Sequence, residues 1–127
     1  MTVRIVRLGS PRTRLEGLRI GTVRRPPRGV PKTEYASRDI YDVWFPLLAP
    51  SEALLKQGLH AESDSDWRRF TRAYRREMRA PEPKRALELL AGLSRHTNFS
   101  VGCYCAEEAR CHRSILRELL LEHGASL

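Results

Sequence analysis

The chain predicts an α/β fold: a small, mostly parallel sheet flanked by helices, in a single domain spanning residues 1–127. Three observations carry that expectation. Short β-branched segments open the chain, at Val3–Leu8 and Leu18–Val23. Longer segments with apolar residues at three- and four-residue steps fill its second half. Near the carboxyl end a helix-type, a strand-type and another helix-type segment follow in succession, and right-handed crossovers lay such a strand into a parallel sheet. A chain of 127 residues holds one core and is too short for two.

The elements are justified in turn. Val3, Ile5 and the Val6–Leu8 stretch make a first strand, and Leu18-Arg19-Ile20-Gly21-Thr22-Val23 a second. The second runs into Arg24-Arg25-Pro26-Pro27-Arg28-Gly29-Val30-Pro31, where three prolines exclude helix and sheet interior alike, leaving a stiff basic loop. Tyr41–Pro50 is the richest apolar stretch; Pro46 and Pro50 break it into a short strand or turn. Ser51 is placed to cap a helix from Glu52 to Gly58, with the glycine as its stop.

From Asp64 the residues Trp67, Phe70, Tyr74 and Met78 form one helical stripe opposite Arg68, Arg72, Arg75, Arg76 and Arg79, and Pro81 and Pro83 end that helix. A third helix, Lys84–Leu93, turns Ala86, Leu87, Leu89, Leu90 and Leu93 inward. The segment from Phe99 to Cys105 lacks alternating polar residues, as a central buried strand does. The last helix, Ser114–Glu122, buries Ile115, Leu116, Leu119 and Leu120 and closes at Gly124.

Composition narrows the class of function. No run approaches the roughly eighteen apolar residues of a membrane helix, and Met1–Arg7 lacks a signal-peptide core, so no membrane partner is expected and the cytoplasm is the expected location. Three cysteines, an odd number, fit a reducing compartment. The net charge is +8; residues 1–60 carry 11 basic and 5 acidic side chains, residues 61–127 carry 12 and 10. The excess therefore lies in the amino-terminal half, where it either attracts a phosphate-bearing partner, nucleotide or nucleic acid, or merely solubilises the chain.

All the cysteine lies in one eleven-residue run, Cys103-Tyr104-Cys105-Ala106-Glu107-Glu108-Ala109-Arg110-Cys111-His112-Arg113. Such a strand-loop-helix junction is where open α/β sheets bind ligands. Cys111 falls at the start of the last helix, where the dipole, Arg110 and Arg113 favour its thiolate over that of strand-buried Cys103. On an ideal strand the Cα atoms of Cys103 and Cys105 would stand about 6.6 Å apart, at the upper edge of disulfide geometry, which makes Cys105 and Cys111 the better redox pair.

Three readings stay open. In the first, the junction binds an anion or nucleotide through Arg113 and, across the sheet edge, through Arg24, Arg25, Arg28 and Gly29; Cys111, His112 and Cys105 are then the catalytic candidates. In the second, Cys103, Cys105, Cys111 and His112 hold zinc, their number suiting the ion and their spacing departing from usual structural-zinc patterns, so that no metal is the favoured expectation. In the third, the cysteines are core packing. An enzyme and a non-catalytic binding module both fit. His60, His96 and His123 read as surface residues.

Cys-Tyr-Cys-Ala-Glu-Glu followed by Cys-His-Arg-Ser-Ile-Leu resembles the signature of the family called domain of unknown function 488. The preceding half resembles its YeaO-like branch through Gly17–Ile20, Arg24–Gly29, Trp44, Ala49-Pro50-Ser51 and the helix stripe Trp67, Phe70 and Tyr74. The resemblance implies a small cytosolic α/β fold and brings no established reaction. Two departures are visible: Val23 stands where the branch has Asp, and Pro26 where it has Trp. If that Asp is catalytic in relatives, Glu107 or Glu108 are the candidates to replace it.

Overall fold

The computed structural model describes Met1–Leu127. Its frame is a four-stranded, wholly parallel sheet of β1 (Val3–Arg7), β2 (Leu18–Gly21), β3 (Val43–Trp44) and β4 (Phe99–Cys103), ordered β1-β4-β2-β3. The last strand in sequence is thus the inner one. β4 pairs with β1 in the register Val3↔Phe99 to Arg7↔Cys103, and with β2 from Leu18↔Phe99 to Gly21↔Gly102. All five of its residues are buried, as its apolar composition requires. The strand ends at Cys103, two residues earlier than expected.

One face of the sheet carries Val3, Ile20, Phe99 and Val101, and residues of all four helices join them in a single core. α1 (Glu52–Leu59) is capped by Ser51, whose hydroxyl accepts from the Leu54 amide. Gly58 does not stop it. The helix runs through to Leu59, and the glycine lies under Phe70, where a Cβ would come within 2.8 Å of the ring. α2 (Asp64–Glu77) buries Phe70 and Tyr74, with Met78 at its end, while half-buried Trp67 stacks on Phe70 at 5.0 Å.

α3 (Pro81–Leu93) begins three residues before the expected Lys84. Pro81 and Pro83 do not end α2; they sit in the first turn of α3, where a proline costs no hydrogen bond. Leu89 and Leu93, expected inward, are 63% and 39% exposed, because the buried stripe is Ala86, Leu87, Leu90 and Ala91. α4 (His112–Glu122) starts two residues before Ser114 and buries Ile115, Leu116, Leu119 and Leu120. No helix is long and apolar enough to cross a membrane.

The opposite face is covered by loops, and there a buried polar network lies beside a second, smaller apolar cluster of Leu8, Val23, Tyr41, Cys103 and Cys111. Arg19 on β2 and Ser100 on β4 are neighbours in register, and both are fully buried. The Arg19 guanidinium donates to both Glu16 carboxylate oxygens at 2.7 and 2.9 Å and to the carbonyls of Ser10 and Asp39 at 2.8 and 2.6 Å. The Ser100 hydroxyl donates to Glu16 at 2.7 Å. Asp42 accepts the Arg19 amide at 2.8 Å and pairs with Arg12. Beside this network Gly21 lets the Tyr41 ring lie on the sheet; a Cβ there would meet it at 2.3 Å.

Burial opposes ionisation of Glu16, but the hydrogen bonds from Arg19 and Ser100 outweigh it and hold the carboxyl below its ordinary range. That stabilisation is complete above the unfolded-state value of about 4.3 and is lost as pH falls through the lower folded value. Two outcomes are expected in urea titrations. Glu16→Gln leaves the Arg19 charge buried without its counter-ion and costs about 3–5 kcal/mol near neutrality, with a shallower loss of stability on acidification than wild type. Phe70→Ala costs about 3–5 kcal/mol as well; a loss under about 1 kcal/mol would mean that the aromatic stripe is not core.

Candidate functional site

The carboxyl ends of β2 and β4 open into a cleft of about 440 Å³. Val23, Arg24, Arg25, Pro26, Pro27 and Arg28 of the basic loop form one wall. Pro50 and Leu55 face them, and Cys103, Tyr104 and His112 complete the lining. A smaller cavity of about 60 Å³, bounded in part by Trp67 and Phe70, reaches Cys103, Cys105, Cys111 and His112 from the α1–α2 side. The expected juxtaposition of basic loop and cysteine run is therefore present, with differing roles for its members.

Arg24 is committed to the fold. Its guanidinium donates to the carbonyls of Pro46, Ala49 and Pro50 at 3.2, 3.1 and 3.0 Å, pinning the proline-broken apolar turn. Arg25 pairs with Glu52 at 2.8 Å on the exposed rim. Arg28 is exposed on the cleft wall and takes part in no ion pair. Gly29 is exposed, has a left-handed φ of 71°, and lies outside the lining.

The thiols converge because β4 ends at Cys103. The chain turns at Tyr104, and Cys103 Sγ and Cys105 Sγ come to 3.7 Å, well beyond a disulfide bond. All three cysteines are free; Cys103 and Cys111 are buried and Cys105 is exposed. Cys111 is extended (φ −125°, ψ 150°) and serves as the N-cap residue of α4 without a side-chain cap bond. His112 begins the helix, and its Nδ1 folds back to 3.9 Å from Cys111 Sγ. Its Nε2 lies 2.8 Å from the Thr22 carbonyl, which can only accept, so Nε2 carries a proton and donates it there, leaving Nδ1 to face the thiols. Tyr74 packs edge-on to the imidazole at 5.6 Å.

Arg113 is 4% exposed and has no carboxylate partner. Its guanidinium donates to the Cys105 carbonyl at 2.7 Å, and its Nε is buried without an acceptor. Arg110 lies over the Trp67 ring and pairs with Asp64, tying the cysteine loop to the start of α2. Glu108 is engaged by Arg117 at 2.7 and 2.9 Å, which holds its carboxyl below the usual range; Glu107 is exposed, and neither lines the cleft. His60 and His96 are exposed and His123 half-buried, all away from the thiols.

Hydrogen bonds from Cys103 and Cys105, together with His112, draw the Cys111 thiol toward ionisation against the cost of burial. The Cys103 thiol is pushed up by the same sulfur contacts and by burial. Sequence reasoning missed the Thr22 carbonyl, which has no side-chain signature. It also missed Tyr104, although its place between two cysteines was a usable signal.

Fold and site together define a small parallel α/β protein with a thiol–imidazole cluster at the carboxyl edge of its sheet. The family model DUF488-N3a, described as the active DUF488-N3 subclade, matches residues 3–124, and the chain belongs to this DUF488 family. No curated protein and no solved structure matches the chain.

Electrostatics and access oppose each other at Cys111, which is only 2% exposed. In the reduced, metal-free protein, alkylation followed by peptide mass mapping is expected to label exposed Cys105 first, with Cys103 and Cys111 reacting only through local opening. Faster labelling of Cys111 would show that the cleft admits reagents to the helix terminus.

Proposed function

We propose that the cleft binds a phosphate-bearing small molecule of the nucleotide class, with its reacting end over Cys103 and His112. The observation carrying this reading is that one cavity is lined both by the basic loop and by Cys103 and His112 of the thiol–imidazole cluster. Its volume of about 440 Å³ falls in the range of small-molecule sites, roughly 300–1,000 Å³. Its walls combine apolar Pro27, Pro50 and Leu55 with the ring of Tyr104, whose hydroxyl donates to the Arg25 carbonyl at 3.2 Å. Such walls suit a base or ribose, and the free guanidinium of Arg28 suits a phosphate. Chemistry on the ligand takes place at the cluster and depends on its cysteines. The family description, active subclade, fits that reading.

The test is calorimetric titration of the whole protein with ATP, ADP, inorganic phosphate and a short single-stranded oligonucleotide. Nucleotide is expected to bind more tightly than phosphate alone, and Arg28→Ala to weaken it about tenfold, as for one charge-assisted hydrogen bond. Preference for the oligonucleotide with a steep salt dependence would instead make the basic loop a nucleic-acid contact. Absence of binding to all four at low salt, or an Arg28→Ala variant that binds as wild type, overturns the proposal.

A further inference from the structure

We infer that Cys103, Cys105, Cys111 and His112 Nδ1 bind a tetrahedral soft divalent cation, zinc, at the floor of the cleft. This site goes beyond the phosphate reading: it leaves phosphate binding at Arg28 as it is and gives the cysteines to metal ligation instead of chemistry on the ligand. The ligand atoms of Cys103, Cys111 and His112, all buried, lie within 4.8 Å of one another. Cys105 joins from the exposed side at 3.7 Å from Cys103. Zinc–sulfur bonds of about 2.3 Å at a tetrahedral angle place two sulfurs about 3.8 Å apart, which is the Cys103–Cys105 spacing.

The local backbone explains how so unusual a ligand order, one residue between the first two cysteines and none between the third and the histidine, reaches one point. The turn at Tyr104 brings the first pair together. At the second pair, the extended Cys111 and helical His112 direct adjacent side chains to the same side, and it is the ring nitrogen nearer the backbone that returns to the sulfur at 3.9 Å.

Two further observations fit a metal–thiolate centre there. The Thr22 carbonyl holds the outer ring nitrogen protonated, the arrangement by which metal-binding histidines are oriented through a backbone acceptor. Buried Arg113 has no carboxylate counter-ion, and it is anchored on the Cys105 carbonyl within the ligand loop. On binding, each thiol releases its proton as its sulfur–zinc bond forms, while the imidazole contributes a neutral lone pair. Three thiolates around a dication leave one net negative charge, and the Arg113 guanidinium is the cation beside it.

The test is titration of the reduced, chelator-stripped, full-length protein with cobalt(II), followed by displacement with zinc. One cobalt per chain is expected, with the visible bands of a tetrahedral ion and a near-ultraviolet thiolate charge-transfer band. Cys105→Ser, at an exposed position, is expected to keep the tetrahedral bands and to lose roughly one third of the charge-transfer intensity, the share of one thiolate in three. Cys111→Ser and His112→Ala are expected to lose stoichiometric binding. In wild type, zinc is expected to protect all three thiols from alkylation. A cobalt spectrum without the thiolate band overturns the inference, and so does alkylation indifferent to zinc or a Cys111→Ser variant that binds as wild type. The wild-type measurements decide the matter even where a core variant fails to fold. Because the titration contains no phosphate ligand, its failure leaves the nucleotide reading standing, and the reverse also holds.

Discussion

The structure depends on β4 lying between β1 and β2. Its backbone is hydrogen-bonded on both edges, and all five of its residues are buried. A strand enclosed in this way tolerates only small or apolar residues, and Phe99-Ser100-Val101-Gly102-Cys103 meets that demand with its large side chains toward the helices and its small ones toward the loops. The chain that leaves it must turn at once, since α4 begins only nine residues later and packs back on the same sheet. The cysteine run occupies that forced turn. Its position at the carboxyl edge of a parallel sheet follows from the strand order.

The loop-covered face of the sheet is organised by a second constraint, the buried Arg19–Glu16 pair. A guanidinium removed from water needs several acceptors, and this one draws carbonyls from two separate loops, at Ser10 and Asp39, as well as the Glu16 carboxylate. The network holds the irregular segments against the sheet where no helix covers it. Arg24 performs the same kind of work at the cleft, gathering three carbonyls of the Pro46–Pro50 turn. Two of the chain's arginines are thus internal scaffolding, although composition alone counts them toward a basic surface.

The cleft brings together groups with different preferences. Its walls are apolar and cationic, while its floor carries sulfur and an imidazole whose Nε2 donates to the Thr22 carbonyl. The sulfur atoms share protons among themselves, so Cys111 is drawn toward the thiolate while Cys103 is held as a thiol. Burial limits access to both. Cys111 thus combines a thiol drawn toward ionisation with a position closed to solvent, unlike an open nucleophile.

Much of this protein was determined by local sequence. β-branched runs, the Trp67–Met78 stripe and the closing helix–strand–helix succession specified an α/β fold, because periodicity and turn chemistry act over a few residues. The cysteine run marked the site for the same reason, and the family signature lies in that run. Tertiary structure decided the rest. Whether Pro81 ends one helix or starts the next depended on where α3 packs, and whether Gly58 stops α1 depended on the Phe70 ring above it. The sulfur distances depended on where pairing with β1 and β2 ends, and the orientation of the His112 ring on a carbonyl ninety residues away. The partners of Arg19, Arg24 and Arg113 lie in loops brought near by the sheet, and no local pattern encodes them. Periodicity reports which face of an element is apolar; only the packed chain determines which atoms that face meets.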